Sequence, residues 1–98
     1  MQIKIHEAYR KIAALTDSDL IGKSFEEGIK TIKISENFFK GDEKTEGEII
    51  EILKDLNKED AIFTIVGEKS IECALKAEII KPEGILTIEN IPIALGLL

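Results

Sequence analysis

Acid–base and nucleophilic chemistry draw on histidine, cysteine and paired carboxylates, and this chain is poor in all three. His6 is its only histidine and Cys73 its only cysteine. A metal site or a catalytic relay ordinarily needs a second imidazole or a thiolate beside the first. His6 alternates with Ile3 and Ile5, which places it on the polar side of a first strand as a surface residue. Cys73 stands beside Ala74 in an apolar helical stretch, where cysteine usually acts as a small buried hydrophobe. No motif supplies the base that would activate it as a nucleophile. The carboxylate pairs Asp17 with Asp19 and Glu26 with Glu27 lack the further ligands of a calcium loop and read as turn formers and a solvated loop. No catalytic residue, metal ligand or cofactor is therefore assigned.

Two stretches carry glycines of the kind that cradle anions. Gly22-Lys23-Ser24 resembles the end of a phosphate-binding loop, but that loop needs a glycine five residues before its Gly-Lys pair, and Asp17 stands there. Val66-Gly67-Glu68-Lys69-Ser70 reads as strand, glycine and helix start, and a helix N-terminus offers free amides and a favourable dipole to an anion. Glu68 lies in that first turn, so the helix is expected to cap itself. Gly22, Ser24, Gly67 and Ser70 are the candidates for a pocket or anion site.

The charge is uneven along the chain. Net charge is -6, which in bulk opposes adsorption to nucleic acid or anionic lipid. Up to residue 40 there are seven basic and six acidic residues, and from Gly41 onward six basic and thirteen acidic. A surface meeting a polyanion would therefore come from the N-terminal third, and Arg10, Lys23, Lys30 and Lys33 are its candidate RNA- or partner-binding residues. The competing reading is that these lysines blunt sheet edges.

These residues need a scaffold, and the hydrophobic pattern outlines one. Alternation over Ile3–Tyr9, continued over Arg10–Thr16, predicts a hairpin. Asp17-Ser18-Asp19 predicts a reversal. Leu20–Phe25 leads into a loop at Glu26-Glu27-Gly28, and Ile29–Ile34 reads as a third strand. Ser35 caps a single helical turn, and Lys40–Lys44 reads as a mobile polar loop. Thr45 and Glu48 fit a capping box before a helix over 46–56 with Ile49, Ile50, Leu53 and Leu56 at helical spacing. Ala61–Val66 is a continuous apolar run, the pattern of a strand covered on both faces. A second helix follows over Ser70–Glu78, then a short strand Ile85–Ile88 and an apolar tail, Ile91–Leu98, expected to form an edge strand or to dock on the core.

The result is a single domain, 1–98, of the α+β class. It has a mixed sheet of about five to six strands and two α-helices in the order β-β-β-α-β-α-β plus the tail. Hydrophobic residues make up 44% and aromatics 5%, so the core is built from aliphatic side chains. No apolar run approaches the roughly 18 residues of a membrane span, and no leader is expected at the N-terminus. A lone cysteine excludes an intramolecular disulfide and suits a reducing, cytoplasmic setting.

Three stretches together carry a resemblance. They are Leu20-Ile21-Gly22-Lys23-Ser24-Phe25-Glu26-Glu27-Gly28, the strand leading into Ser35-Glu36-Asn37-Phe38-Phe39-Lys40-Gly41, and Val66-Gly67-Glu68-Lys69-Ser70. In their order and spacing, over nearly the whole chain, the sequence resembles the DUF424 family of small archaeal proteins of unknown function. Many members carry His-Ala-Gln after a proline near the C-terminus, whereas Pro92 here is followed by Ile93-Ala94-Leu95. The resemblance implies an archaeal source and a compact fold, supplies no catalytic residues to carry over, and leaves the function open.

The function expected from these readings is a non-catalytic binding module, associated with RNA or the translation machinery, whose partner is RNA or a ribosome-associated protein and not a membrane. One alternative is a small-molecule binder or enzyme using the glycine-flanked loops 22–28 and 67–70 as walls of one pocket. Another is an oligomeric subunit, such as a homodimer formed through the C-terminal tail.

Overall fold

The computed structural model describes residues 1–95. Strands β1 (Gln2–His6) and β2 (Ile12–Thr16) form the predicted hairpin, with Ile3 opposite Leu15. A 3-10 turn at Ser18–Leu20 makes the reversal. β3 (Ser24–Glu27) and β4 (Lys30–Lys33) follow as a second hairpin, then the one-turn helix α1 (Glu36–Phe39), capped by the Ser35 side chain as expected. β5 (Asp42–Glu43) leads to α2 (Glu46–Lys58), where the hydroxyl of Thr45 accepts from the Glu48 amide and the Glu48 carboxylate accepts from that of Thr45. β6 (Ile62–Val66), α3 (Glu68–Lys76), β7 (Leu86–Ile88) and β8 (Ile91–Leu95) complete the described chain.

Six strands form one mixed sheet in the order β5-β1-β2-β6-β8-β7, and β3-β4 stands apart as a two-stranded sheet. β2 and β6 run parallel and the other neighbours antiparallel. On one face α2 and α3 bury Ile49, Leu53, Leu56, Ile71 and Ala74 against Ala13, Leu15, Phe63, Ile65 and Ala94. On the other, Leu20, Ile34 and Phe39 close over Ala14, Val66, Ile88 and Ile93, with Phe25, Ile32 and Phe38 at the margin. The run Ile62–Val66 is thus apolar throughout because β6 is central and covered on both sides.

Several expectations are corrected. The third predicted strand does not join the main sheet. It is the second arm of a hairpin whose first arm, Ser24–Glu27, takes in the Glu26-Glu27 expected to be loop. Gly28, at φ +64, opens the two-residue turn Gly28–Ile29, and glycine at the first central position suits such turns. The Lys40–Lys44 loop contains β5, tied to β1. Gly41 approaches β1 so closely that a Cβ would lie 2.1 Å from the Ile3 carbonyl oxygen. The tail is no edge strand over its described part. Ile91–Leu95 lies between β6 and β7, and residues 96–98 of that expectation fall outside the described residues. The β7–β8 turn needs positive φ at both Glu89 and Asn90 (+50 and +67), a cost that asparagine tolerates better than most residues.

Candidate functional site

Asp17 directly follows β2, at the same end of the sheet at which α3 begins, because β2 and β6 are parallel and in register. Its carboxylate is 8% exposed and accepts three hydrogen bonds: from the Ser70 amide at 2.8 Å, the Ser70 hydroxyl at 2.7 Å and the Lys69 amide at 3.2 Å. The Asp17 amide in turn donates to the Val66 carbonyl. Gly67 has φ +113, and a Cβ there would lie 2.5 Å from the Asp17 carboxyl carbon. This corrects the self-capping expectation, since a carboxylate from a different element, and not Glu68, fills the anion position of α3. It also explains why the helix begins at Glu68, two residues before the predicted start.

Of the four pocket candidates, Gly67 and Ser70 therefore meet, but around Asp17. Gly22 and Ser24 are exposed. Gly22, at φ +88, donates its amide to the Ile34 carbonyl at 2.7 Å and so starts the β3–β4 hairpin. Outside the Asp17 contact lies a depression of about 370 Å³ lined by Met1, Asp17, Ser18, Asp19, Glu68 and Lys69. Three carboxylates against one lysine, with the Met1 terminal amine already paired to Glu43, make it a poor anion site, and the 22–28 loop takes no part in its lining.

The basic candidates divide as well. Arg10 is in the β1–β2 connection, where its guanidinium donates to the Asp60 carbonyl and pairs with the Asp60 carboxylate at 3.1 Å. That is the end of the sheet opposite Asp17 and Lys23. Lys30 and Lys33 lie on β4 at odd spacing. Lys30 shares a face with Phe25 and Ile32, which pack toward the core, and Lys33 is on the other face. Among the described residues, neither they nor Lys23 forms an ion pair within 4.0 Å.

The chemistry-bearing side chains are occupied structurally. His6 stacks on Phe38 with centroids 4.6 Å apart, and its Nε2 lies 2.8 Å from the Phe38 carbonyl oxygen. It is half-buried and holds α1 to β1, which its alternation with isoleucines could not reveal. Cys73 is buried beside Met1, and burial pushes its thiol up from the ordinary value. Among the described residues no group of three or more His, Cys, Asp or Glu is placed to hold a metal ion, and no helix is long and apolar enough to cross a membrane.

One surface remains that was not foreseen. The β3–β4 hairpin and α1 leave part of β7 and β8 uncovered on their sheet face. Beside β4 is an open cleft of about 340 Å³, with Leu86, Ile88, Ile93 and Leu95 on its floor and Ile29, Lys30, Thr31 and Ile32 on its wall. Leu86 is 47% exposed, Leu95 51%, and Ile29 projects fully into solvent from the turn. The signal in the sequence was the apolar pair Leu86 and Leu95 on strands whose neighbours are buried, but register was needed to bring them together.

A family model described as a protein of unknown function, DUF424, matches residues 5–96. Among solved structures, the chain is similar to one described as an uncharacterized conserved protein from Methanopyrus kandleri. The TM-score is 0.82 and the identity 20%, over 99% of this chain and 93% of that one. At that identity the likeness concerns the fold alone. No curated protein matches the chain.

Proposed function

The chain belongs to the DUF424 family of proteins of unknown function, and on that premise we propose that it is a non-catalytic binding module of the cytoplasm, docking a protein partner on the cleft beside β4. The observation that carries this reading is the juxtaposition of half-exposed Leu86 and Leu95 with fully exposed Ile29 around one open apolar surface. Apolar side chains gathered at the surface, unlike scattered ones, favour a partner, because each loses roughly 25 cal/mol per Å² when covered. RNA as the partner has less support: Arg10 is ion-paired at the far end of the sheet, and Lys30 and Lys33 point to opposite sides of the hairpin. The small-molecule alternative lacks its pocket, since the cleft nearest Asp17 does not include the loop 22–28.

The test is sedimentation of tagged protein in lysate of its own host, with and without ribonuclease, for the natural chain and for Leu86→Glu and Leu95→Glu. Co-migration with a larger species that survives ribonuclease and is lost in both variants supports the reading. Co-migration that ribonuclease abolishes and the variants retain replaces it with the RNA reading. Migration as a small free protein throughout overturns it.

A further inference from the structure

Resting on that reading, we propose that the cleft takes an extended segment of a partner protein, alternating acidic and apolar residues, which adds as a strand to the free edge of β4. The hydrogen-bond pattern of the hairpin fixes that edge. Glu27 faces Lys30 across the two-residue turn, and the Ile34 amide donates to the Lys23 carbonyl at 2.9 Å. Residues 30, 32 and 34 therefore turn their backbone groups inward to β3, while Thr31 and Lys33 turn theirs outward. β4 pairs only with β3 among the described residues, so those outward groups are open to a further strand. The other edge of the hairpin is closed, because the Glu26 amide donates to the Glu89 carboxylate at 2.8 Å and the Glu89 amide to that of Glu27 at 2.7 Å.

An added strand at β4 would lie over the cleft floor. Its side chains alternate between two environments. Those on the inner side meet Leu86 and Leu95, which asks for apolar residues. Those on the outer side stand beside Thr31 and Lys33, and Lys33 has no ion-pair partner among the described residues. Carboxylates are the complement. The same charges disfavour a second copy of this chain as occupant. β4 reads Lys30-Thr31-Ile32-Lys33 and contains no acid, so pairing it with itself sets the Lys33 side chains of both copies on one face with no carboxylate to meet them.

The experiment uses the purified full chain and two synthetic probes of about eight residues, one alternating valine with glutamate and one alternating valine with lysine. Amide hydrogen exchange is followed residue by residue. The glutamate probe is expected to slow exchange at Thr31 and Lys33 by roughly tenfold or more, with the lysine probe without effect. Lys33→Glu should reverse the preference, and Thr31→Pro, which removes an outward N–H, should abolish protection. Equal protection by both probes, or none by either, overturns strand addition by an acidic segment. If Leu86→Glu and Leu95→Glu abolish co-migration in lysate while neither probe protects Thr31, the docking surface stands and this mode of occupying it fails. Concentration-dependent dimerisation that protects Thr31 without any probe assigns the edge to a second copy instead and also overturns the proposal.

Discussion

The Asp17 carboxylate lies 2.8 Å from the Ser70 amide across 53 positions of sequence. This one contact ties the end of β2 to the start of α3. It also uses up the only helix N-terminus among the described residues that follows a glycine. The four amides left over at a helix start are ordinarily satisfied by a residue of the same segment. Here the parallel β2–β6 register brings a carboxylate from elsewhere, and Gly67 leaves the space that it occupies.

Asp17→Ala should destabilise the fold by about 2–4 kcal/mol, since it leaves buried donors of Ser70 and Lys69 without an acceptor. Gly67→Ala should also destabilise, both from φ +113 and from the 2.5 Å approach to Asp17. The two are in contact, so their effects should not add. The double variant should cost less than the sum of the singles, because removing the carboxylate makes room for the new methyl. Urea unfolding of all four proteins checks this, and strict additivity would contradict the contact.

Leu86→Ser and Leu95→Ser should change stability by less than about 1 kcal/mol, because both side chains are already about half in water. Leu53→Ala, fully buried between α2 and the sheet, should cost about 2–5 kcal/mol. Melting temperatures separate the two classes, and a large loss at Leu86 or Leu95 would mean that the cleft is part of the core.

Cys73 should resist alkylation in the native protein between about pH 7 and 8, because its thiol is buried and held above its ordinary value. In denaturant it should react fully. Mass spectrometry of iodoacetamide-treated samples reads the difference, and rapid native labelling would exclude the described packing against Met1.

Acid should expose two further contacts. The terminal amine and the Ser18 hydroxyl hold the Glu43 carboxyl below its ordinary value, and the Thr45 amide and hydroxyl do the same for Glu48. Depressed carboxylates stabilise the folded state above the unfolded value of 4.5 and lose that contribution as pH falls through their folded values. Stability should therefore decline as pH drops below that point, and Glu48→Gln should make the decline shallower. Chemical denaturation at a series of acidic pH values tests it, and an unchanged slope in Glu48→Gln would remove the capping box from the explanation.

Much of the fold was legible because its signals are local. The Thr45–Glu48 capping box, the run Ile62–Val66 and the Ser35 cap each announce their element within a few residues. The site was less legible because it depends on register. Asp17 reads locally as a turn former, and nothing near it says that α3 will meet it. Ser24–Glu27 has two glutamates and a single large apolar residue, so the strand is recognisable only when Phe25 is paired with Ile32. Leu86 and Leu95 look like core until the hairpin is seen to stop short of them.

The central position of β6 bears on how the chain is made. Its neighbours are β2, which precedes it by about half the chain, and β8, the last described element. During synthesis β1 and β2 emerge first, yet β2 cannot pair on its second edge until β6 has left the ribosome. The sheet is not complete until Leu95 has followed. Folding must then wait on distant pairings, which slows it relative to a chain of local contacts. Until that moment the run Ile62–Val66 is an exposed, uncharged strand, the segment of this protein most open to aggregation or to a chaperone.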